Sequence, residues 1–444
     1  MTNHTQPARG TRDFLPADVR RREHVIKTVR GVYERYGFEP LETPAFENIE
    51  TLLGKYGDEG NKLIFKILER GEGGADGRAD LALRYDLTVP LARVVAQYQN
   101  DLPRVFKRFQ IQPVWRADRP ARGRFREFYQ CDIDAVGSTS PVVEAEILGA
   151  VSEVLTTLGF TDFAIRLNHR GVLTALLETS GVDASRHGDA LVAIDKLDKI
   201  GRDGVVAELA SRGIDAVVAG RLMDAFAGTG DALAMLDSTL RANAAGTAAV
   251  AELRAIVELS KATAAGRYLR VDPSLARGLS YYTGAIMEIA VEGIGSLGGG
   301  GRYDGLIGMF LGRDVPACGF SLGLERIIVV MTERNMFPAA VTSGAVDVVV
   351  TFLDDGSQAE ALRMASELRA QELCVDVYPE ASRKFEKPLK YASARGAKLM
   401  AIFGENERAR GEVSVRNLET REQQSIGRGE AAATIVRLVG TVAP

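Results

Sequence analysis

The spacing of apolar residues along this chain of 444 residues changes several times from the first residue to the last. Residues 18–36 repeat at helical spacing, with Asp18 near the start and Gly37 just past the end, positions that suit a helix's two termini. Residues 81–88 alternate instead. As a strand they place Leu81, Leu83, Tyr85 and Leu87 on one face and Arg84, Asp86 and Thr88 on the other. Pro90 follows, and residues 91–97 read as a helix. Residues 105–116 and 128–135 are two more alternating runs. Residues 171–265 are rich in Ala, Leu and Val, hold one aromatic, Phe226, and no proline, and predict helices throughout. Strand and glycine signals return at Tyr268 and continue to about Met331. Residues 332–344, with Pro338, read as a linker. Beyond it, strands at 346–352, 374–378 and 398–403 alternate with helices at 357–371 and 388–396. That order predicts an α/β domain of ~100 residues with a largely parallel sheet. The chain thus reads as a core of residues 1–170 and 266–331, a helical insertion at 171–265, a linker at 332–344 and a C-terminal domain at 345–444.

Composition narrows the class. Hydrophobic residues make up 46% and charged residues 26%, enough apolar mass for cores and ordinary for a soluble protein. No run approaches the ~20 apolar residues of a membrane span. Residues 1–16 carry Arg9, Arg12 and Asp13 and no apolar stretch, so no secretory leader is expected. Cys131, Cys318 and Cys374 lie far apart, and neither they nor the four histidines have a metal-ligand spacing. Reduced thiols in a cytoplasmic protein without a structural metal are the expectation. The net charge of -4 rules out a globally basic nucleic-acid binder. Any such contact must be local. One cluster qualifies: residues 104–126 hold eight Lys and Arg against the single acid Asp118.

Three polar faces are candidates for chemistry. The first is Arg84, Asp86 and Thr88. Its plain alternative makes Thr88 a helix cap and Asp86 a solvated turn residue. The second is the pair of runs around the cluster, one with Arg108, Gln110, Gln112 and Arg116 on a face, the other with Gln130, Asp132 and Asp134. They read as an antiparallel hairpin whose long loop carries Arg119, Arg122, Arg124 and Arg126. Such a loop repels itself unless an anion or several acids meet it. Guanidinium groups grip phosphates through paired N–H donors, so Arg116 at the loop base suits a phosphate or carboxylate. The alternative is a surface hairpin with a solvated tip. The third face joins Arg277, Tyr281 and Tyr282 to the run Gly298, Gly299, Gly300, Gly301, Arg302 and Tyr303, and to a strand-to-helix passage at 318–326 ending in Arg326. Four successive glycines allow either close approach to a ligand or a tight bend. Gly293, Gly295 and Gly298 also match a dinucleotide-binding pattern, but no clean βαβ unit surrounds them.

These segments, in this order, resemble the class II histidyl-tRNA synthetases over nearly the whole chain, from Arg9, Gly10, Thr11, Arg12 and Asp13 to Val415 and Arg416. Residues 84–90 resemble the family's histidine-site segment, 116–134 its second class II motif, 319–326 its third, and 277–284 its histidine signature. Glu42, Thr43 and Pro44 resemble the dimer-forming first motif. The resemblance implies an α+β catalytic domain with an antiparallel sheet flanked by helices, a helical insertion, and a C-terminal α/β anticodon-binding domain. It implies ATP with Mg2+, L-histidine and tRNA(His) as substrates, and a homodimer. By the same resemblance Arg116 and Arg277 hold the α-phosphate and the reacting carboxylate, with Arg277 doing work a magnesium ion does in related enzymes. Arg124 and Arg326 hold the outer phosphates, and Glu127 and Phe128 meet the adenine. Asp86, Thr88 and Gln130 take the histidine ammonium. Asp134 and one tyrosine of the pair Tyr281 and Tyr282, the latter preferred, take the imidazole, and Tyr303 closes the pocket. Arg119 and Arg122 face the tRNA acceptor end. Ala121 departs from the glutamine many bacterial members carry, which puts recognition of the extra 5′ guanosine in question. Two other readings share parts of the pattern: the synthetase-like regulatory subunit of ATP phosphoribosyltransferase, which lacks an anticodon-binding domain, and a nicotinamide-dependent dehydrogenase.

Overall fold

The alternating runs are realised as strands, and their register decides which polar side chains meet. In a computed structural model, residues 5–56, 60–226, 231–276, 281–291, 293, 295–342, 346–382 and 384–441 are described. The chain divides into two units, Met1–Met336 and Phe337–Pro444. The strands of the first are β1 (Glu39–Pro40), β2 (Phe46–Asn48), β3 (Lys66–Leu68), β4 (Ala79–Leu83), β5 (Phe106–Trp115), β6 (Glu127–Val136), β7 (Phe163–His169), β8 (Leu269–Val271), β9 (Ala285–Val291), β10 (Gly295–Arg302) and β11 (Ala317–Gly323). Eight of them form one sheet in the order β1-β5-β6-β11-β10-β9-β7-β8, and β2-β4-β3 form a small one. The large sheet is antiparallel from β5 through β7, with a parallel pair at each edge.

One face of this sheet is covered by helices. In α1 (Pro16–Arg35), Val25, Val29, Val32 and Tyr33 are buried at helical spacing. Each such side chain contributes roughly 1.5–3 kcal/mol when fully buried. Pro16 pre-sets the first turn, so the helix begins two residues before Asp18. The Tyr33 hydroxyl donates to the Cys131 carbonyl, and Arg30 lies over Phe109, which puts the odd-numbered side chains of the hairpin on the helix side. The helix Leu324–Glu333 packs beside α1 on the same strands. The even-numbered polar side chains therefore face the other way.

Helices from Arg170–Ser180 to Ala244–Ser260 fall between β7 and β8, two neighbouring strands of the one sheet. They belong to the same unit as that sheet. Arg166 of β7 ties the two together. It bonds Asp272 and, 2.6 Å away, Asp198 of the helix Leu197–Ser211.

Two expectations need correction. The run 81–88 is a strand only to Leu83, and its helix, α2 (Thr88–Gln97), starts three residues early. Arg84 breaks the alternation. It is fully buried, and its guanidinium binds the carbonyls of Thr43, Pro44 and Pro113, so it is a structural clamp. The cap of α2 is Asp86, which accepts the Val89 N–H at 3.0 Å, and not Thr88. The second correction concerns the C-terminal unit. Its sheet runs β13-β12-β14-β15-β16, with β12 (Val348–Phe352), β13 (Val375–Val377), β14 (Leu399–Phe403), β15 (Glu412–Asn417) and β16 (Gln423–Gly427). The β12 pairings are parallel and the β15 pairings antiparallel, so the sheet is mixed and not largely parallel. The last two strands follow Gly411, whose φ of 64° ends a short helix and turns the chain back.

Candidate active site

Across the hairpin, Arg108 sits opposite Asp134, Gln110 opposite Asp132 and Gln112 opposite Gln130. On the next strand Ser321 faces Asp132 and Gly319 faces Asp134. The period of two thus stacks amides and charges on one face of the sheet. Of these, Gln130, Asp132, Asp134, Gly319 and Ser321 line a cavity of about 320 Å³. Gly319 is required there, because a Cβ would overlap the Asp134 carboxylate. The run from Gly298 to Gly301 is neither bend nor loop. It lies in β10, where a Cβ at Gly298 or Gly300 would strike the backbone of β11. Gly293 and Gly295, with φ of 76° and 88°, mark the end of the β9–β10 hairpin. A strand-to-helix turn is what a dinucleotide site requires, and that reading fails.

Asp86, Thr88, Arg116, Gln130, Asp134 and Tyr303 all line this cavity. So do Arg124, Phe128, Tyr281, Tyr282 and Arg326. Asp86 is buried. Its Oδ1 accepts from the Tyr56 hydroxyl at 2.9 Å and from Val89, while Oδ2 has no partner among the described residues. Burial pushes its carboxyl above the ordinary range, against the pull of Val89 N–H and Arg116. The Gln130 amide donates to Ser321 Oγ at 2.7 Å, and its Oε1 is likewise buried and has no partner among the described residues. Asp134 Oδ1 accepts from the Tyr303 hydroxyl. Its Oδ2 lies 2.9 Å from Arg108 Nη2 but off the line of a hydrogen bond, so that contact is an ion pair. Burial raises the Asp134 carboxyl, with Arg108 and Tyr303 opposing. Asp132 is pushed up to about 7, first by burial and then by Asp134, with Arg108 and Ser321 opposing.

The cationic wall is held differently. Arg116 Nε donates to the Tyr85 carbonyl at 3.0 Å, and its guanidinium lies over the Tyr85 and Phe128 rings. A guanidinium so fixed still offers its terminal N–H groups to a ligand. Two acids relieve the crowding of the loop. Arg124 pairs with Asp118 through two bonds of 2.8 and 3.0 Å, and Arg122 pairs with Glu333. Arg326 donates to the Ser296 carbonyl. The tip is therefore braced by acids, one within the loop and one on the helix Leu324–Glu333.

Glu127 and Arg119 are exposed and form no part of the cavity wall. Arg122 also lies outside the wall. Arg277, with residues 278–280, lies outside the described residues, as do 343–345 at the domain junction. Sequence reasoning set Arg108 and Asp132 on the polar faces of the hairpin without giving them a role, and it missed Ser321 and Tyr56. For Arg108 a signal existed: the hairpin register puts it across from Asp134. Tyr56 had none, since nothing in the pattern of its segment connects it to Asp86.

An antiparallel sheet with helices on one face, a cavity lined by arginines and buried acids on the other, and a separate mixed-sheet C-terminal unit together make the architecture of a class II aminoacyl-tRNA synthetase. Comparison with known proteins gives the particular family. A histidyl-tRNA synthetase profile matches residues 10–327, and an anticodon-binding-domain profile matches 347–438. The chain is 42% identical to a histidine–tRNA ligase of Gloeobacter violaceus, over 94% of this chain and 95% of that protein. It is 42% identical to one of Porphyromonas gingivalis, over 97% and 98%. The crystal structure of histidyl-tRNA synthetase from Nostoc sp. PCC 7120 superposes with a TM-score of 0.82 at 31% identity, covering 98% of this chain and 100% of that one. The chain belongs to the histidyl-tRNA synthetase family.

Proposed function

We propose that this protein is a histidine–tRNA ligase: it joins L-histidine to ATP as histidyl-adenylate, releasing pyrophosphate, and then passes histidine to the 3′ end of tRNA(His). One observation carries the site assignment. Asp86 and Gln130, whose buried Oδ2 and Oε1 have no partner among the described residues, line the same cavity as Arg116. Buried acceptors left unpaired call for a donor, and an ammonium supplies three. A guanidinium beside them suits a phosphate or carboxylate. An amino acid approaching a nucleotide's α-phosphate meets both needs at once.

In this reading the histidine ammonium binds Asp86, Gln130 and Thr88. Tyr281 and Tyr282 both line the cavity, and Tyr282 meets the imidazole with Asp134. Tyr303 closes the pocket. Arg116 and Arg277 hold the α-phosphate and the attacking carboxylate, so that negative charge gathering in the transition state is met by fixed positive groups. Arg124 and Arg326 take the outer phosphates. Arg124 must then exchange Asp118 for phosphate. Phe128 stacks on the adenine, with Glu127 at its edge. ATP enters with Mg2+. Arg119 and Arg122 meet the acceptor end of the tRNA, and residues 345–444 its anticodon. The core at 1–170 and 266–331 carries out the chemistry, the helices of 171–265 serve the tRNA, and 332–344 link the two ends. A cytoplasmic homodimer built on Glu42, Thr43 and Pro44 completes the reading. No described helix is long and apolar enough to cross a membrane.

Pyrophosphate exchange with each amino acid in turn, followed by charging of total tRNA, tests the proposal. Histidine alone should support exchange. A different amino acid, or none, ends it. Arg277→Ala should remove exchange while leaving the fold unchanged, and exchange at the wild-type rate would overturn that residue's role.

A further inference from the structure

Gln130 can serve an ammonium only if its amide faces the right way. Its Nε2 donates to Ser321 Oγ at 2.7 Å, which leaves Oε1 as the amide atom without a partner among the described residues, on a side chain that lines the cavity. Turned over, the amide would place Oε1 on Ser321 and two N–H donors against the incoming ammonium. A hydroxyl can accept or donate at that contact, so Ser321 alone does not choose. The choice lies one residue further. Gln130 Nε2 also donates to the buried Asp132 carboxyl, 3.4 Å from Oδ1, and Asp132 lies across from Ser321 on the next strand. A turned-over amide would set Oε1 against the Asp132 carboxylate oxygen, so this second acceptor holds Nε2 on the Ser321 side. The cross-strand pairing of Asp132 with Ser321 holds the chain of three in place.

We propose that Asp132 and Ser321 are positioning residues that lock the Gln130 amide with its oxygen toward the substrate ammonium, and so set the site's preference for an amine-bearing ligand. This rests on the histidine-binding reading above. Neither residue needs to touch the reacting atoms. The effect belongs to recognition of the amino group and not to phosphate chemistry. Losing one hydrogen bond to a charged group lowers affinity by roughly tenfold to a hundredfold.

Two probes separate the claim from a general weakening of the pocket. Histidinol keeps the amine and lacks the carboxylate. 3-(Imidazol-4-yl)propionate keeps the carboxylate and lacks the amine. Calorimetry on full-length wild type, Asp132→Asn, Ser321→Ala and Ser321→Thr should give a clear order. Asp132→Asn and Ser321→Ala should lose roughly tenfold or more in histidinol affinity and keep that for the propionate. Ser321→Thr, which retains the hydroxyl, should restore histidinol binding. In exchange assays KM for histidine should rise while kcat and KM for ATP hold. Equal losses for both probes, or none for histidinol, would overturn the inference. If wild type binds neither histidine nor histidinol, the histidine-site reading itself has failed, which is a separate result. Asn is isosteric with Asp and removes a buried charge, so a folded variant is expected. Ser321→Ala provides the same test independently.

Discussion

The two sheets of this molecule bury their strands to the same depth and fill them with opposite chemistry. In the C-terminal unit every residue of β12 and β14 is buried, and all but Thr351 are apolar. In the N-terminal unit seven successive residues of β6, from Gln130 to Val136, are also buried, yet three of them are Gln130, Asp132 and Asp134. Removing a carboxylate from water costs several kcal/mol even after relaxation, and Arg108 is the fully buried cation that offsets it. The apolar sheet follows the rule that stability alone would write. The central sheet breaks it in one place, around a cavity, and a costly exception of that kind marks a working site.

If that contrast is right, substitutions in the two sheets should separate function from stability. The largest effect is expected at Arg116. Arg116→Ala should slow histidine-dependent pyrophosphate exchange about a thousandfold or more with a much smaller change in thermal midpoint, because the guanidinium meets developing phosphate charge and contributes to the fold through a bond to the Tyr85 carbonyl and contacts with two aromatic rings. Exchange within tenfold of wild type would remove Arg116 from the chemistry. Arg108→Met should act in the opposite way. It strands Asp134 without its counter-charge, and the fold should lose about 3–5 kcal/mol by urea titration near neutral pH. The loss should shrink in acid, where the Asp134 carboxyl takes up a proton. In the other sheet, Phe403→Ala should cost a comparable or slightly smaller amount, about 3–4 kcal/mol, by opening a cavity among apolar neighbours. Exchange should survive that change while charging of tRNA falls. A loss of exchange equal to that of Arg116→Ala would show that the two units do not divide the work.

How far the sequence led depends on where long-range register was needed. Hairpin strands 105–116 and 128–135 were legible because each alternates with a period of two, and their polar faces supply Arg116, Gln130, Asp132 and Asp134 to the cavity. The strand at 81–88 was misjudged for a physical reason. Arg84 is buried beside Tyr85, so the polar-out rule failed where a guanidinium satisfies three carbonyls inside the protein. The antiparallel central sheet came from family resemblance and not from the residues, because β11 joins β6 across almost two hundred positions of chain. The same distance hid Ser321. No local pattern pairs it with Asp132. In the C-terminal unit, 412–427 carried no recognised strand signal, and a largely parallel sheet was inferred from the first three strands alone. The loop of Arg122 and Arg124 was expected to meet either an anion or several acids. The acids they found first, Glu333 and Asp118, were legible only in three dimensions.

The smallest effect probes the contrast most directly. The Asp132 carboxyl is pushed up to about 7 by burial, so near neutrality the folded chain keeps a proton that the unfolded chain has already released. The unfolded state then binds fewer protons, and stability must fall as pH rises from the ordinary aspartate range toward 7, levelling off above it. Asp132→Asn removes the titration. At pH 8 the variant should be the more stable protein, by on the order of 1–3 kcal/mol, and by pH 4 the difference should vanish because wild-type Asp132 is then neutral too. Thermal melts across that range, without ligand, would read it. A gain in stability at high pH in the same variant that binds histidinol less well would mean that the central sheet keeps this acid for recognition at the expense of the fold. A variant that is less stable at every pH would place Asp132 among the groups that hold the sheet together, and the difference between the two sheets would then be one of composition only.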